Sequence, residues 1–264
     1  MIFSNIFAIA QRELQSYFGS PLAYLVAALV WFISGLFFVE ILLGEQGIVQ
    51  QIALSETSGV DIGSIDVATE FLNSFLAILG SLTILVVPIL SMGLYTEERK
   101  RGTLELLATS PVTNWVVALG KLLAITLLFV FTIFPALIYE AIALGESEPA
   151  LPFAVPLLGH LGLILLAASL LSLGMFISSL TNSTILAAIL TFGAVLLLWI
   201  IELIAESTGG WLRSLLLHLS PIASYNHLVR GTPSLSDLVL FLSYIFLGIF
   251  LTSQSIHTLR LNRR

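Results

Sequence analysis

Three carboxylates lie within long apolar stretches, where an ionisable side chain is costly and is by default a candidate for function. They are Glu40, Glu140 and Glu202. All three fall close to the outer end of their stretch, whereas a proton- or sodium-coupled carrier would place such groups nearer mid-depth. We therefore expect outer-interface charges, which could pair with Arg213 or Arg230. The alternative that the sequence leaves open is an ion path.

Motifs for catalysis or metal binding are missing from the sequence. There is no phosphate-binding P-loop, since Gly120-Lys121 is followed by leucine and Trp115 stands where the first glycine would be. The chain has no cysteine, its four histidines are scattered, and neither H-E-x-x-H nor G-x-S-x-G occurs. We therefore predict that the chain is not itself an enzyme and that it has no catalytic, cofactor-binding or metal-binding residue.

The composition is that of a membrane protein. Hydrophobic residues make up 58% of the 264, charged residues make up 10%, and the mean hydropathy is +1.05. An ordinary soluble domain carries about 45–50% apolar and about 25% charged residues. Too few polar side chains exist to cover a water-soluble surface, which excludes a typical soluble enzyme and a disordered chain. We predict a single transmembrane domain over residues 1–264.

Six stretches are long and apolar enough to cross a bilayer, which takes about 20 residues. They are residues 22–43, 71–95, 116–144, 153–179, 183–205 and 235–257. Residues 1–20 are too polar to span, and their apolar side chains, such as Phe3 and Phe7, recur at helical spacing. This pattern is typical of a helix in the membrane interface, with a helix packed on a core as the alternative. The sequence thus predicts an all-α integral membrane protein with one interfacial and six transmembrane helices.

Lysine and arginine residues indicate the orientation, because cytoplasmic loops carry an excess of them. Eight of the ten fall on one side of the predicted topology: Arg12, Arg99, Lys100, Arg101, Lys121, Arg260, Arg263 and Arg264. The other side has Arg213 and Arg230 and most of the loop acids. We therefore predict that both termini are cytoplasmic. Tyr139, Trp211 and Tyr225 are then expected at the outer membrane boundary.

The segment 96–115, between the second and third spans, has the pattern of a compact helical feature. Thr96 can cap a helix with an acidic first turn, and Gly102 would end that helix. Thr103 can cap a second short helix that has leucines on one face, and the residue before Pro111 would end it. The alternative is a charged stop-transfer loop, which needs neither these breaks nor a leucine face.

Residues 98–111, which read ERKRGTLELLATSP, resemble the hallmark of the ABC type-2 transporter permeases, the membrane subunits of many bacterial exporters. The order of parts along the whole chain is similar to that family too, including the gliding-motility-associated and nitrous-oxide-reductase-maturation permeases. Residues 206–234 resemble the outer re-entrant segment of the family. The resemblance implies a multi-pass protein of the bacterial inner membrane.

In that family the segment between spans two and three contains a coupling helix, which docks on a separate ATPase subunit. Carried over by motif, the ATPase interface would comprise Glu97, Glu98, Arg99, Lys100, Arg101, Gly102, Thr103, Leu104, Glu105 and Leu107. Glu98, Arg99 and Arg101 would pair with charges of the ATPase. Leu104 and Leu107 would supply apolar contact. ATP and Mg²⁺ would be bound by the ATPase partner, so this chain would carry no cofactor.

The resemblance implies the permease subunit of an ATP-driven exporter, in which two identical or related permease chains pair above two ATPase subunits. Membrane lipid is an expected partner, a periplasmic accessory protein could contact the outer loop 44–70, and no nucleic acid is expected. Arg213 and Arg230 could hold anionic lipid or substrate headgroups. Two alternatives stay open. One is a mechanotransmission module that acts on a periplasmic partner, and the other is a secondary carrier without an ATPase.

Overall fold

The computed structural model describes residues 2–58, 66–103, 113–145 and 151–261. Within these ranges the chain forms eleven α-helices and no β-strand. The helices are α1 (Ile2–Phe18), α2 (Pro21–Leu43), α3 (Ile48–Ser58), α4 (Val67–Ser91), α5 (Thr96–Lys100), α6 (Asn114–Leu144), α7 (Ala154–Leu180), α8 (Thr184–Ser207), α9 (Gly210–Leu219), α10 (Pro221–Val229) and α11 (Leu235–Leu261).

Six helices in the described part of the chain are long and apolar enough to cross a membrane: α2, α4, α6, α7, α8 and α11. They correspond one to one to the six apolar stretches, so the prediction of an all-helical fold with six spans is confirmed. A helix satisfies all its own backbone hydrogen bonds, which is why long apolar stretches take this form in lipid.

The second span differs from its predicted bounds at both ends. It begins earlier because Asp66 caps α4, accepting a hydrogen bond from the backbone N–H of Thr69 at 3.2 Å. It ends at Ser91 rather than at Tyr95. Residues 92–95 form a turn, and the N–H of Tyr95 donates to the side chain of Ser178 instead of continuing the helix.

Helix α7 lies at the centre of the bundle, where it packs against α4, α6, α8, α10 and α11. Small residues allow these helices to approach closely. A Cβ atom placed on Gly174 of α7 would collide with Ser91 of α4, and one placed on Gly248 of α11 would lie 2.5 Å from the Oγ of Ser172. The surrounding core is built from buried side chains that include Phe71, Phe75, Leu79, Leu163, Leu166, Leu170 and Met175.

The two ends of the bundle differ in the side chains that they hold. At one end Asn114 of α6 donates to the carbonyl oxygen of Ser253 in α11 at 3.4 Å, and Lys100 of α5 donates to Thr184 of α8 at 3.2 Å. We call this the basic end, because it holds Arg12, Lys100, Arg101 and Lys121. The end with α9 and α10 is called the opposite end.

Helix α1 packs along the first half of α6 at the basic end. A Cβ atom on Gly120 would lie 2.8 Å from the Cγ2 of Ile9, so the glycine is needed for this close contact. The predicted apolar face of α1 is divided in the structure. Ala10 is buried, whereas Phe3 and Phe7 are exposed. Part of the helix therefore packs on the bundle, and its first turns present phenylalanines outward.

Tyr225, which is expected at the outer membrane boundary, is 1% exposed and packs inside the bundle rather than facing outward. Its ring lies against Gly80 of α4, where a Cβ atom would come within 2.6 Å of it, and close to Gly162 of α7, where a Cβ atom would lie 3.3 Å away. Trp211 of α9 is exposed, as expected for a boundary residue. Helix α10 is thus a short helix inserted between spans.

Candidate functional site

The start of α5 is held by a side chain from another helix. The Oγ of Ser178, near the end of α7, accepts hydrogen bonds from the backbone N–H groups of Tyr95 at 3.0 Å and Thr96 at 3.3 Å. Its hydroxyl also donates to the carbonyl oxygen of Met92 at 3.0 Å. Thr96 was predicted to cap α5, but it lies inside the first turn and its hydroxyl donates back to Met92. Ser178 takes over the capping role.

The end of α5 follows the predicted pattern. Gly102 has a φ of +69°, a conformation that glycine adopts without strain. Its N–H donates to the carbonyl oxygen of Arg99 at 3.2 Å, and the N–H of Thr103 donates to that of Glu98 at 3.0 Å. This pair of bonds is a Schellman motif, which ends a helix and satisfies its last carbonyls.

Four charged side chains from three elements form what we call the ion cluster: Arg12, Glu13, Glu98 and Lys121. The Nζ of Lys121 lies 2.9 Å from the Oε1 of Glu98 and 3.1 Å from the Oε2 of Glu13. Arg12 lies farther out, at 3.4 Å from Glu13 and 3.9 Å from Glu98. The cluster therefore joins α1, α5 and α6.

Three of the four side chains in the ion cluster are largely buried, so their charges must be compensated within the protein. The Lys121 side chain is 3% exposed, and those of Glu13 and Glu98 are 10% and 14% exposed. A buried charge is tolerated only when it is paired, and here two cations balance two carboxylates. The ring of Tyr95 adds a cation–π contact, with its centroid 5.2 Å from the Lys121 Nζ.

The other predicted interface residues of this segment lie nearer the surface. Glu97, Lys100, Arg101, Gly102 and Thr103 are exposed, whereas Arg99 is half-buried. Glu97 and Arg101 form an exposed pair at 3.7 Å on one face of the short helix. Glu98 points inward to the ion cluster, so its position differs from that of its neighbours. Leu104, Glu105 and Leu107, with the second short helix predicted there, fall outside the described residues.

A cavity of about 610 Å³ opens beside the ion cluster. Its polar side is formed by Arg12, Glu13, Glu97, Glu98, Arg101 and Lys121, and its apolar side by Leu22, Ile89, Leu90, Ile125 and Leu128. The cavity lies between α1, α5, α6 and the adjoining ends of α2 and α4. The side chains of the cluster therefore have space on one side into which they can move.

At the opposite end the five predicted outer charges are not brought together. Glu140 is 3% exposed and packs inside the bundle, 3.5 Å from the Nδ1 of His160. Glu202 accepts a hydrogen bond from Asn226 at 2.9 Å. The remaining three, Glu40, Arg213 and Arg230, are exposed.

Several residues of these two sites were not assigned a role from the sequence. Glu13 lies in the predicted interfacial helix, and both His160 and Ser178 lie in the fourth predicted span. Lys121 is the residue whose position in the sequence indicates a buried ion pair, because a lone lysine near the start of a span needs a partner. The sequence did not indicate which carboxylates would supply that partner.

Comparison with known proteins gives two findings. A family model described as "ABC-2 family transporter protein" matches residues 7–264. The chain is also similar to the "Probable multidrug ABC transporter permease YbhR" of Escherichia coli strain K12 and to its counterpart in Escherichia coli O157:H7. In each case the identity is 34% over 111 residues, which are 42% of this chain and 28% of the relative. The match thus spans less than a third of these relatives' length.

Proposed function

The chain belongs to the ABC-2 family of transporter proteins, and from this premise we propose that it is the transmembrane permease subunit of an ATP-driven exporter. Six apolar helices in a member of this family indicate a multi-pass membrane protein. The observation that carries the proposal is the charged segment 97–103, which is mostly exposed and is anchored to the basic end of the bundle through Glu98 and Lys121. A separate ATPase subunit would bind ATP and Mg²⁺ and dock on this segment.

The proposed ATPase interface contains fewer residues than the motif implied. It comprises the exposed residues of the segment together with the adjoining Leu104, Glu105 and Leu107. Arg99 contributes at its edge. Glu98 is excluded from the docking surface, because its carboxylate is engaged with Lys121 inside the bundle. The basic end then faces the cytoplasm of a bacterium, with both termini on that side of the inner membrane.

We further propose that two permease chains, identical or related, pair in the membrane above two ATPase subunits. Helix α8 supports this arrangement, because the rest of the chain leaves most of its surface uncovered. Apolar side chains such as Ile185, Ile189 and Leu197 are exposed there. A second chain would cover part of this surface and membrane lipid the remainder. Residues 206–234, which include α9 and α10, would form the outer cap, where the exposed Arg213 and Arg230 could hold anionic headgroups.

A secondary carrier without an ATPase is the second candidate function. One observation favours it, namely that Glu140 is buried beside His160, as a group that binds a transported proton would be. Mechanotransmission to a periplasmic partner, through contacts that include the loop 44–70, uses the same coupling to an ATPase and differs only in its output.

Affinity purification tests the docking proposal. The tagged chain is purified in mild detergent from its own cells, and the co-purifying proteins are identified by mass spectrometry. We expect a P-loop ATPase subunit with the wild type. The double charge reversal Lys100→Glu, Arg101→Glu should remove it. The matched control is Arg213→Glu, Arg230→Glu, which reverses two exposed charges at the opposite end and should retain it.

One outcome would reject this function, and another would reject the proposed docking surface. If no ATPase accompanies the wild type, the chain is not a permease subunit of this kind, and Glu140→Gln becomes the variant to test for ion-coupled transport. If the ATPase accompanies both double variants equally, segment 97–103 is not the docking surface. Transport into vesicles with the ATPase present, compared with ATP turnover alone, separates export from mechanotransmission.

A further inference from the structure

We propose that Lys121 transmits the displacement of α5 to α6, so that it is the positioning residue through which ATPase movement reaches the spans. This inference rests on the proposed function and names the contact that the coupling uses. Helix α5 has only one turn, and residues 92–95 form a non-helical turn between it and α4. A displacement of α5 is therefore not passed to a spanning helix along a continuous helical backbone. A specific link to the bundle is required.

Glu98 provides that link, since it is the side chain of α5 that contacts both α1 and α6. Its partner Lys121 lies within the second turn of α6, three residues after Ala118 and four after Val117, and therefore on the same buried face of the helix. Separation from Lys121 would leave the buried Glu98 carboxylate without its closest cation, which is costly inside a protein. The lysine must therefore follow the carboxylate when α5 moves, or lose this pairing.

The other anchors of α5 reach α7 and α8 rather than α6, and one of them is the hydrogen bond from Lys100 to Thr184. At its root, Ser178 holds the backbone of Tyr95 and Thr96 by neutral hydrogen bonds. These bonds fix one point of α5 on α7. Glu98 lies beyond that point, so a rotation of α5 about its root carries the carboxylate and pulls Lys121.

The cavity beside the cluster provides room for this motion. Glu98 Oε2 is buried and has no hydrogen-bond partner among the described residues, so it can accept a second cation. Arg12 lines the same cavity, and its side chain is 69% exposed. A displaced Glu98 can thus keep Lys121 and take Arg12 as a second partner, which gives the cluster two paired arrangements. Elements with two discrete packed states are the usual carriers of conformational coupling.

The test uses a variant that cuts the link without touching the docking surface. Glu13→Gln combined with Lys121→Met removes one acid and one base, which leaves Arg12 and Glu98 to pair. Amide hydrogen exchange is measured by mass spectrometry on the complex with its co-purified ATPase, with and without MgATP. In the wild type, we expect MgATP to change exchange both in residues 97–103 and in the first turns of α6.

In the double variant the change should persist in residues 97–103 and be lost in α6. Lys121→Arg keeps the positive charge and should restore the MgATP-dependent change of exchange in α6. The matched control, His227→Gln with Asp237→Asn, removes a pair that lies 3.0 Å apart at the opposite end and should behave as wild type. All three variants should retain the ATPase, because no docking residue is altered.

The inference falls if α6 of the double variant responds to MgATP as strongly as the wild type does, while the ATPase is bound. It also falls if Lys121→Arg fails to restore the response although the ATPase is retained. If the wild-type chain binds no ATPase, the proposed function and this inference fall together. The purification result therefore separates the two failures.

Discussion

Tyr225 donates its hydroxyl hydrogen to the carbonyl oxygen of Leu76 at 2.6 Å, joining α10 to α4 deep at the opposite end of the bundle. The phenol is buried, so its polar atom needs this partner. Helix α10 follows α8 and α9 in the chain and returns between the spans. Tyr225 therefore holds a short inserted helix against the core.

Replacing Tyr225 with phenylalanine should lower stability modestly. The ring stays in place, and the loss of one buried hydrogen bond costs about 1 kcal/mol. We expect the thermal unfolding midpoint in detergent to fall by a few degrees. Tyr24→Phe is the control, because that tyrosine is exposed. Equal midpoints for the two variants would contradict a stabilising role for the Tyr225 bond.

Gly80→Ala should lower the stability of the protein more than the addition of one methyl group suggests. A Cβ atom at this position would lie 2.6 Å from the Cε1 of Tyr225, so α10 must shift. Overpacking of this kind costs about 1–3 kcal/mol. Gly193→Ala in α8 is the matched change, because nothing lies within 4 Å of its added atom. Thermal unfolding should show a clear loss for Gly80→Ala and no loss for Gly193→Ala. A similar midpoint for both would show that the site has room.

Ser178→Ala should loosen α5 from α7. The variant removes the acceptor for two backbone N–H groups, an effect comparable to loss of a helix cap at about 1 kcal/mol. Limited trypsin digestion measures the result, since cleavage after Arg99, Lys100 or Arg101 requires the segment to open. We expect cleavage to be faster by about fivefold, the factor that 1 kcal/mol gives.

The control for this prediction is Ser243→Ala. That hydroxyl is exposed and donates within its own helix, to the carbonyl oxygen of Val239 at 2.7 Å. Its removal should leave the cleavage rate at 97–103 unchanged. If both serine variants are cleaved at the wild-type rate, the root of α5 is held by other contacts.

Asp66 should make the start of α4 sensitive to acid. Hydrogen bonds from the side chain and backbone of Thr69 hold the pKa of the Asp66 carboxyl below its usual value. Because the pKa is lower in the folded state, the stabilisation is complete above the ordinary pKa and is lost as the pH falls through the lowered one. Asp66→Ala should therefore be less stable than wild type at pH 7, and the difference should shrink under acid.

Thermal unfolding of wild type and Asp66→Ala at a series of pH values checks this. Asp66→Asn keeps an N-cap side chain that does not titrate, so its difference from Asp66→Ala should stay constant with pH. A wild-type advantage that persists unchanged at the lowest pH would show that the carboxylate does not stabilise this helix end.

The segment around α5 shows where sequence reasoning succeeded and where it failed. Gly102 was predicted to end the helix and does so, because the left-handed conformation is a local property of glycine. Thr96 was predicted to cap it and does not. The cap comes instead from Ser178, and no local rule could point to a serine in a distant span.

The sequence alone determined the number and approximate position of the spans, because a long apolar stretch has only one way to satisfy its backbone in lipid. It also indicated the concentration of charge at one end and the lone lysine near the start of the third span. The tertiary structure decided the partners. Lys121 meets Glu13 and Glu98 because α1, α5 and α6 pack together, and Tyr225 is buried because Gly80 and Gly162 leave space for its ring. Such pairings depend on how helices pack against one another, which the hydropathy of each stretch does not specify.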